Sequence, residues 1–345
     1  MTETFKITLA QLNPTVGDFE SNSAKICDTW QKAKDAGSDL VAFPEMFLTG
    51  YNTQDLVRKP AFLDTAEAYV QKIATACAEG PAIALGAPIR EHGKLFNAYV
   101  ILEGGAIKAV VQKHHLPNQN VFDEVRIFDQ GPISGPYVCG PLRIGSPICE
   151  DAWHEDVAET MAETGSDVLL IPNGSPYYRG KHDLRVNLMV SRVIETGLPL
   201  IYLNMVGGQD DQVFDGGSFV LNTGGELALQ LAFFEEAIAH IELSQQDGGW
   251  RVQPAHKASV PDQMETDYAA MVLSLRDYCR KTGFTKVLLG LSGGIDSAIV
   301  ATIAADALGA ENVRCVMLPS EYTSQASLDD AKELAENLGC RYDFV

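Results

Sequence analysis

The feature that most constrains the fold is a strand, a glycine-rich loop and a helix in immediate succession. An apolar stretch at 287–289 predicts the strand, Gly-Leu-Ser-Gly-Gly-Ile-Asp-Ser fills 290–297, and a helix is predicted over 298–308. Adjacent glycines let a backbone pass close to a ligand, and hydroxyls with the free N–H groups of a starting helix can hold phosphate oxygens. The order indicates an α/β layer and a phosphate-binding loop. The alternative is an ordinary strand-to-helix turn in which Asp296 caps the helix.

No lysine follows the second glycine, which argues against a Walker loop, whose lysine reaches the β- and γ-phosphates. The pattern instead resembles the loop of the ATP-pyrophosphatase enzymes, which form an AMP ester and release pyrophosphate. That resemblance implies an Asp296 carboxylate at or near Mg²⁺, a hard cation that prefers oxygen ligands. The implied ATP contacts are Gly290, Leu291, Ser292, Gly293, Gly294, Ile295, Asp296 and Ser297.

Length and charge exclude several classes of protein. The 345 residues predict about two domains, and 46 acidic against 26 basic residues give a net charge of −20. Without a Lys/Arg run, nucleic acid is not an expected partner. The N-terminus lacks a leader pattern and no apolar run approaches membrane-spanning length, so a cytoplasmic protein without a membrane partner is predicted. Seven scattered cysteines without a Cys-x-x-Cys pair indicate a reduced compartment, with any one of them free to act as a nucleophile.

Short apolar strands alternate with amphipathic helices, which is typical of an α/β chain. A first helix is predicted over 23–36, with Asn22 as its cap and Gly37 as its stop. A hairpin turn is predicted at 222–225. Strands are predicted at 7–12, 40–43, 82–86, 98–102, 109–111, 144–148, 168–171, 200–204, 218–221 and 313–318.

Periodicity fades near residue 244 and a polar stretch with two prolines follows, before a helix that is predicted to begin near Thr266. The predicted organisation is therefore a first domain over 1–250, a linker over 251–265 and a second domain over 266–345.

Three predicted strands end in residues that can react. Glu45, Lys113 and Cys149 each follow such a strand, and ligands of α/β folds bind at the carboxyl ends of strands. A nearby ammonium lowers the pKa of a thiol and stabilises an oxyanion, while a buried glutamate can carry a proton from the thiol to a leaving amine. Together the three describe hydrolysis of an amide. Taken singly, each has an ordinary alternative: a core cysteine, a solvated glutamate and a solvated lysine.

The surrounding motifs are Phe-Pro-Glu-Met-Phe-Leu-Thr-Gly-Tyr at 43–51, Lys-His-His-Leu-Pro-Asn-Gln-Asn-Val-Phe-Asp-Glu at 113–124 and Pro-Ile-Cys-Glu-Asp-Ala-Trp at 147–153. They resemble the nitrilase superfamily over about 5–245. This implies an αββα sandwich with Cys149 as nucleophile, Glu45 as general base and Lys113 as stabiliser of the tetrahedral intermediate. Glu124 matches a second, supporting glutamate; its alternative is an exposed partner of Arg126.

A nitrilase-like domain followed by an ATP-pyrophosphatase loop resembles the family of glutamine-dependent NAD(+) synthetases. The fold implied for the second domain is the first part of a Rossmann-like ATP-pyrophosphatase domain. The resemblance implies hydrolysis of L-glutamine through a cysteine thioester, and passage of the ammonia to deamido-NAD that ATP has adenylated with Mg²⁺. It implies no prosthetic group, and a homo-oligomer for the full-length enzyme.

Four positions match family residues around the bound glutamine: Gln119, Glu150, Ser175 and Lys181. An aromatic residue is usual at 119 in some members, and arginine can stand at 181, so contacts there can differ. For Lys181 the alternative is a surface charge.

Related synthetase domains continue beyond the point corresponding to Val345, where the sequence predicts the start of a third strand. The expectation is a glutaminase whose synthetase half is incomplete. Two other interpretations stay open: a stand-alone amidase, and a non-catalytic fragment that binds an intact partner. His114, His115 and His154 lack the spacing of metal ligands and are expected to be solvated or hydrogen-bonded.

Overall fold

The structure, a computed structural model, describes residues 3–246 and 248–345. It divides into two compact units. The described residues up to Gly207 and Phe214–Val260 form the first unit, whereas Gly208–Val213 and Pro261–Val345 form the second.

The strands up to residue 252 are β1 (Thr4–Gln11), β2 (Leu40–Ala42), β3 (Ala82–Glu91), β4 (Lys94–Glu103), β5 (Ala106–Gln112), β6 (Tyr137–Cys139), β7 (Leu142–Gly145), β8 (Val168–Asn173), β9 (Leu200–Asn204), β10 (Val206–Gln209), β11 (Gln212–Asp215), β12 (Phe219–Leu221), β13 (Leu227–Gln230), β14 (Ala237–Gln246) and β15 (Gly249–Val252). The α-helices of the first unit are α1 (Phe19–Asp35), α2 (Pro60–Ala76), α3 (Glu155–Glu163) and α4 (Lys181–Thr196).

Two sheets form the centre of the first unit. One has the order β15-β14-β1-β2-β3-β4-β5 and the other β13-β12-β9-β8-β7-β6. Apolar side chains of both sheets meet in one core, and a second core lies between the first sheet and helices α1 and α2. Helices α3 and α4 contribute Met161 and Val193 to the core beside the second sheet. These layers are the predicted αββα sandwich, since each sheet is covered on one face by the other sheet and on the opposite face by helices.

Helix α1 carries the predicted apolar face but begins earlier than predicted. Ile26, Trp30 and Ala33 are buried, and the cap is Asp18, whose carboxylate accepts from the backbone N–H of Ser21 at 3.0 Å. Asn22 as a cap is therefore wrong. Its buried side chain accepts from the backbone N–H of Thr15 at 2.9 Å and donates to the Thr15 carbonyl at 2.8 Å and the Leu48 carbonyl at 3.1 Å.

Most predicted strands are present, with shifted ends. The strand at 200–204 has the predicted bounds, and the hairpin turn at 222–225 joins β12 to β13 through the Asn222 N–H and the Glu226 carbonyl, at 2.8 Å. The strand predicted over 144–148 ends at Gly145, so Cys149 follows an extended segment of three residues instead of the strand itself. Helix α2 and strand β14 were not among the predicted elements.

The second unit contains α5 (Gln263–Thr282), β16 (Val287–Gly290), α6 (Ile295–Leu308), β17 (Val313–Met317), α7 (Gln325–Leu338) and β18 (Arg341–Phe344). Its three strands are parallel in the order β16-β17-β18, as predicted for a Rossmann-like layer. Helix α5 begins slightly before the predicted position, because Asp262 and Glu265 form a capping box at its start. Within the described part of the chain, no helix combines the length and apolarity needed to cross a bilayer.

Candidate active site

Three turns of the first unit place the predicted reactive residues. Glu45 lies just beyond β2, Lys113 directly after β5, and Cys149 opens a 3₁₀ turn beyond β7. All are buried, with exposed fractions of 1% for Glu45 and Lys113 and 4% for Cys149. Glu45 and Lys113 are therefore not the solvated side chains that their sequence positions alone would allow.

A glycine makes room for the Glu45 turn. A Cβ atom on Gly86, in β3, would lie 2.1 Å from the Met46 nitrogen and 2.5 Å from the Pro44 carbonyl oxygen. Both of those atoms are backbone and cannot swing aside. Gly86 thus allows the turn that carries Glu45 to pack directly on the neighbouring strand.

Lys113 holds two carboxylates together. Its Nζ lies 2.7 Å from Glu45 Oε1 and 2.8 Å from Glu124 Oε2. Asn97, on β4, donates its Nδ2 to Glu45 Oε1 at 2.7 Å and to Glu124 Oε1 at 3.2 Å. The phenol of Tyr51 donates to Glu124 Oε1 at 2.8 Å. The result is a buried network of side chains around one ammonium group.

The environment of Glu124 excludes the surface alternative considered for it. Glu124 is fully buried, whereas Arg126 pairs with Asp123 and Asp55 at the surface. Asn97 was not predicted from sequence. The available signal was a single polar residue inside the apolar strand at 94–103, which requires a buried partner. The backbone N–H of Gly174, which donates to Glu45 Oε2 at 2.8 Å, carries no such signal.

Burial and charge act in opposite directions on this cluster. Burial opposes the charge on Lys113, but Glu124 and Glu45 outweigh it and raise the pKa of Lys113 well above its usual value. Burial raises the pKa of Glu124, an effect that Lys113 opposes. Burial also raises the pKa of Tyr51, and the nearby Glu124 adds to this. The ammonium therefore stays charged, as the stabiliser of an oxyanion must.

Cys149 is held in an uncommon backbone conformation. Its φ is +47°, in the left-handed region that residues other than glycine seldom adopt, and such geometry concentrates at functional sites. Burial raises the pKa of the Cys149 thiol well above its usual value; Glu45 raises it further, and Lys113 opposes the rise. The thiol is consequently protonated at neutral pH and needs a base before it can attack.

Two predicted glutamine contacts lie together at the end of β8 and the start of α4. Lys181 is buried, and its Nζ lies 4.0 Å from the centroid of the Trp153 ring and 4.6 Å from that of Tyr178. Burial lowers the pKa of Lys181 to about 8, with a contribution from Arg185. Lys181 is thus not the surface charge considered as its alternative.

Ser175 is fixed by a buried ion pair that the sequence did not indicate. Arg185, one turn after Lys181, binds both carboxylate oxygens of Asp215 at 2.8 Å and donates to the Ser175 carbonyl at 2.7 Å. Asn204 accepts from the Ser175 N–H at 3.0 Å. The network fixes the wall formed by the segment after β8, because the backbone and the hydroxyl of Ser175 are both hydrogen-bonded to buried side chains.

The other two predicted contacts are less enclosed. Glu150 is half-buried, and its carboxylate lies 3.8 Å from His154 Nε2. Gln119 is exposed, and its backbone carbonyl accepts a hydrogen bond from the Phe122 N–H at 3.0 Å. Of the four predicted glutamine contacts, Ser175 and Lys181 are therefore buried in the wall after β8, whereas Glu150 is half-buried and Gln119 is exposed.

The histidines beside Lys113 have hydrogen-bond partners, as expected. His114 Nδ1 lies 2.7 Å from the Gly131 carbonyl, and His115 Nε2 lies 2.8 Å from Asp156 Oδ1. The structure adds a proximity that the spacing did not suggest. His114, His115 and Asp156 offer one ligand atom each within 4.8 Å of one another, a group of the kind that could hold a metal ion.

The loop at 290–297 in the second unit joins β16 to α6. Gly293 has a φ of +77°, and a Cβ atom there would lie 2.3 Å from the Ser327 carbonyl oxygen. The hydroxyl oxygens of Ser292 and Ser297 are 3.0 Å apart. The N-cap of α6 is Gly294 and not Asp296. Asp296 is exposed in the first turn of α6. The following helix, α7, is capped by Ser324, whose hydroxyl accepts from the Ser327 N–H at 3.2 Å.

The αββα sandwich thus places a cysteine in the same buried site as a Glu-Lys-Glu cluster. The family model for carbon-nitrogen hydrolase matches residues 6–249, and the chain belongs to this family. A second model, for NAD synthase, matches residues 267–345.

The relatives match nearly the whole length of the chain, across both units. The chain is 59% identical over 345 residues to the glutamine-dependent NAD(+) synthetase of Rhodobacter capsulatus, covering 100% of this chain and 62% of that protein. It is 39% identical to the synthetase of Thermotoga maritima, covering 97% of this chain and 64% of the other. The solved structure of the Acinetobacter baumannii enzyme with adenosine diphosphate matches with a TM-score of 0.93 and 35% identity, covering 99% of this chain and 65% of that one.

The chain thus spans somewhat less than two thirds of the length of these relatives. Because both domains are matched, the comparisons do not bear out the expectation of a glutaminase with an incomplete synthetase half.

Proposed function

We propose that the first unit hydrolyses L-glutamine through a thioester on Cys149, and that the ammonia serves an ATP-dependent synthesis of NAD from deamido-NAD. The observation that carries the first part is the buried cluster in which Lys113 bridges Glu45 and Glu124 beside a protonated cysteine. Such a cluster is costly to bury and supplies a base and an oxyanion partner in one place.

In the proposed reaction, Glu45 takes the proton of the Cys149 thiol while the sulfur attacks the carbon of the glutamine side-chain amide. Lys113 stabilises the negative oxygen of the tetrahedral intermediate. Glu45 then gives the proton to the amide nitrogen, the carbon–nitrogen bond breaks, and ammonia leaves. Water, deprotonated by Glu45, attacks the thioester, and the returning proton restores the thiol. Glu124 holds Lys113 in place and balances its charge.

Glutamine binding is assigned to Glu150, Ser175 and Lys181, with Gln119 at the rim. A carboxylate and an ammonium can pair with the α-amino and α-carboxylate groups of the substrate. The rings of Trp153 and Tyr178 restrict where the Lys181 ammonium can lie, which favours a ligand of defined length. The fixed Ser175 segment supports that wall.

For the second unit we propose that residues 290–297 bind the phosphates of ATP. Support comes from the free backbone N–H groups at the start of α6 and from the paired hydroxyls of Ser292 and Ser297. The exposed Asp296 carboxylate suits Mg²⁺, which is commonly held by one or two carboxylates together with phosphate oxygens. Bound there, the ion would neutralise phosphate charge. A homo-oligomeric, cytoplasmic enzyme without a prosthetic group is part of the proposal.

Two assays on purified protein test the proposal: release of glutamate from glutamine, and formation of NAD from deamido-NAD, ATP and supplied ammonia. C149A is expected to abolish the first reaction and spare the second, because free ammonia bypasses the cysteine. Faster hydrolysis of simple aliphatic amides than of glutamine would favour a stand-alone amidase. A chain without hydrolysis of either amide would favour a non-catalytic partner.

A further inference from the structure

One buried carboxylate connects two of the catalytic segments through their backbones. Asp151 Oδ1 accepts from the N–H of His114 at 3.0 Å and from that of His115 at 2.7 Å, and Oδ2 accepts from the N–H of Ile148 at 3.0 Å. The side chain is 1% exposed. Its three donors therefore lie on both sides of the site: two directly follow Lys113, and one directly precedes Cys149.

These donors determine what can occupy position 151. All three are backbone N–H groups, so the side chain must accept on both of its ends. An asparagine has the same shape but presents an NH₂ group to at least one of them, in either orientation of its amide. A buried N–H without an acceptor is destabilising, so an asparagine at position 151 would release one segment from the other.

The alignment matters because Lys113 and Cys149 act on the same substrate atoms in the proposed reaction. The two residues lie in segments that follow different sheets, β5 in one and β7 in the other. Asp151 binds the backbone of the residue next to each of them, His114 beside Lys113 and Ile148 beside Cys149. It is suited to fix the spacing between nucleophile and ammonium.

We propose that Asp151 is a positioning residue, which aligns the Lys113 ammonium with the Cys149 sulfur by binding the backbones of both segments. The inference rests on the proposed glutaminase function for its rate effects, but the alignment itself is a property of the protein alone. A misplacement of about 1 Å in an active site can cost about a hundredfold in rate. Glutamine binding is expected to survive, since Ser175 and Lys181 lie on other segments.

The test compares D151N with D156N in the full chain. Asp156 is a matched control because its carboxylate binds the ring of His115 and the backbone N–H of Val157, and neither is a backbone group of the Lys113 or Cys149 segment. D151N is expected to lower kcat for glutamine by about a hundredfold with little change in KM, and D156N to lower neither. The pH midpoint of Cys149 alkylation by iodoacetamide, followed by site-resolved mass spectrometry, is expected to rise by about one unit in D151N alone as the influence of Lys113 weakens.

Wild-type kcat in folded D151N, with an unchanged alkylation midpoint, would overturn the proposal. If D151N does not fold, D151E carries the test: the same charge is displaced by one methylene, so kcat should fall at least about tenfold at constant KM, and wild-type kcat would count against the proposal. Failure of the proposed function is distinguishable, because the wild-type chain would then release no glutamate while the alkylation midpoints still report the alignment.

Discussion

At the scale of single residues, the site is dominated by charges that are buried and mutually dependent. Glu45 and Glu124 stabilise the buried ammonium of Lys113, and the two glutamates share that one cation as their counter-charge. Asn97 contributes amide donors to both carboxylates and cannot replace the cation. A change at Lys113 is therefore expected to affect both stability and glutamine hydrolysis. A second change at one of its glutamate partners is expected to restore stability alone.

Replacing Lys113 by methionine removes the charge and keeps much of the volume. Two buried carboxylates are then left without a cation, so the variant should lose about 3–5 kcal/mol of unfolding free energy and about a hundredfold or more in glutamine hydrolysis. Urea denaturation and glutamate release measure the two losses. The double variant K113M/E124Q should regain part of the stability and none of the activity; recovery of activity would contradict the role given to the ammonium.

Asp151 predicts a pH dependence of stability. Burial raises its pKa from 3.8 to about 6 in the folded chain, although the N–H groups of His115 and Ile148 and the charge of Lys113 oppose this. Between those values the folded state binds the proton more tightly than the unfolded state, so the contribution of Asp151 to stability falls as pH rises through this window, by about 3 kcal/mol. The unfolding free energy of the wild type minus that of D151N should show this fall between pH 4 and 7. A pH-independent difference would be inconsistent with a buried ionised carboxylate.

At the scale of elements, turns rather than regular structure set the chemistry, and they differ in how far sequence predicts them. Glu45, Lys113 and Cys149 were predicted to form one site because each follows an apolar run and lies in a motif that resembles the nitrilase superfamily. The prediction of Asn22 as the first helix cap was wrong. Its side chain suits a cap chemically, but in the folded chain its amide binds the backbones of Thr15 and Leu48. The contacts of Asn97, the Arg185–Asp215 pair and the contact of Asp151 with the His114 backbone join residues that are far apart in sequence, which spacing along one chain does not reveal.

Gly86 offers a test of how tightly a strand positions the Glu45 turn. G86A places a methyl group 2.1 Å from the Met46 nitrogen, so the turn must move away from β3. We expect a loss of stability of about 1–3 kcal/mol from the forced overlap and a fall in glutamine hydrolysis that mainly affects kcat. Circular dichroism melting and steady-state kinetics provide the measurements. G135A is a matched control, because the added atom would lie 3.6 Å from the Thr164 hydroxyl, an ordinary contact distance, and Gly135 does not have a left-handed φ.

At the scale of the whole molecule, the chain combines two units whose sites are built from different elements. The first uses turns of an αββα sandwich, and the second uses a glycine loop at the edge of a parallel sheet. Matches to a carbon-nitrogen hydrolase model and to a NAD synthase model follow the same division. This arrangement predicts that a local change in one site can be read separately from a change in the other.

Gly293 provides that separation. G293A introduces a Cβ atom 2.3 Å from the Ser327 carbonyl at a φ of +77°, so the loop must rearrange. Binding of ATP, measured by calorimetry, should weaken by about tenfold or more, which is the effect of losing at least 1.4 kcal/mol. Glutamate release measured without ATP should stay at the wild-type rate. Equal losses in both measurements would contradict separate sites.

In the proposed reaction, the sulfur of Cys149 forms a covalent bond with the side-chain carbonyl carbon of glutamine. A glutamine analogue with a diazoketone in place of the amide tests this directly, since it alkylates the nucleophile that would attack the amide. Peptide mass spectrometry should place the label on Cys149 alone among the seven cysteines, with the reaction slowed by added L-glutamine and absent in C149A. Labelling of another cysteine, or labelling of Cys149 that glutamine does not slow, would contradict the account.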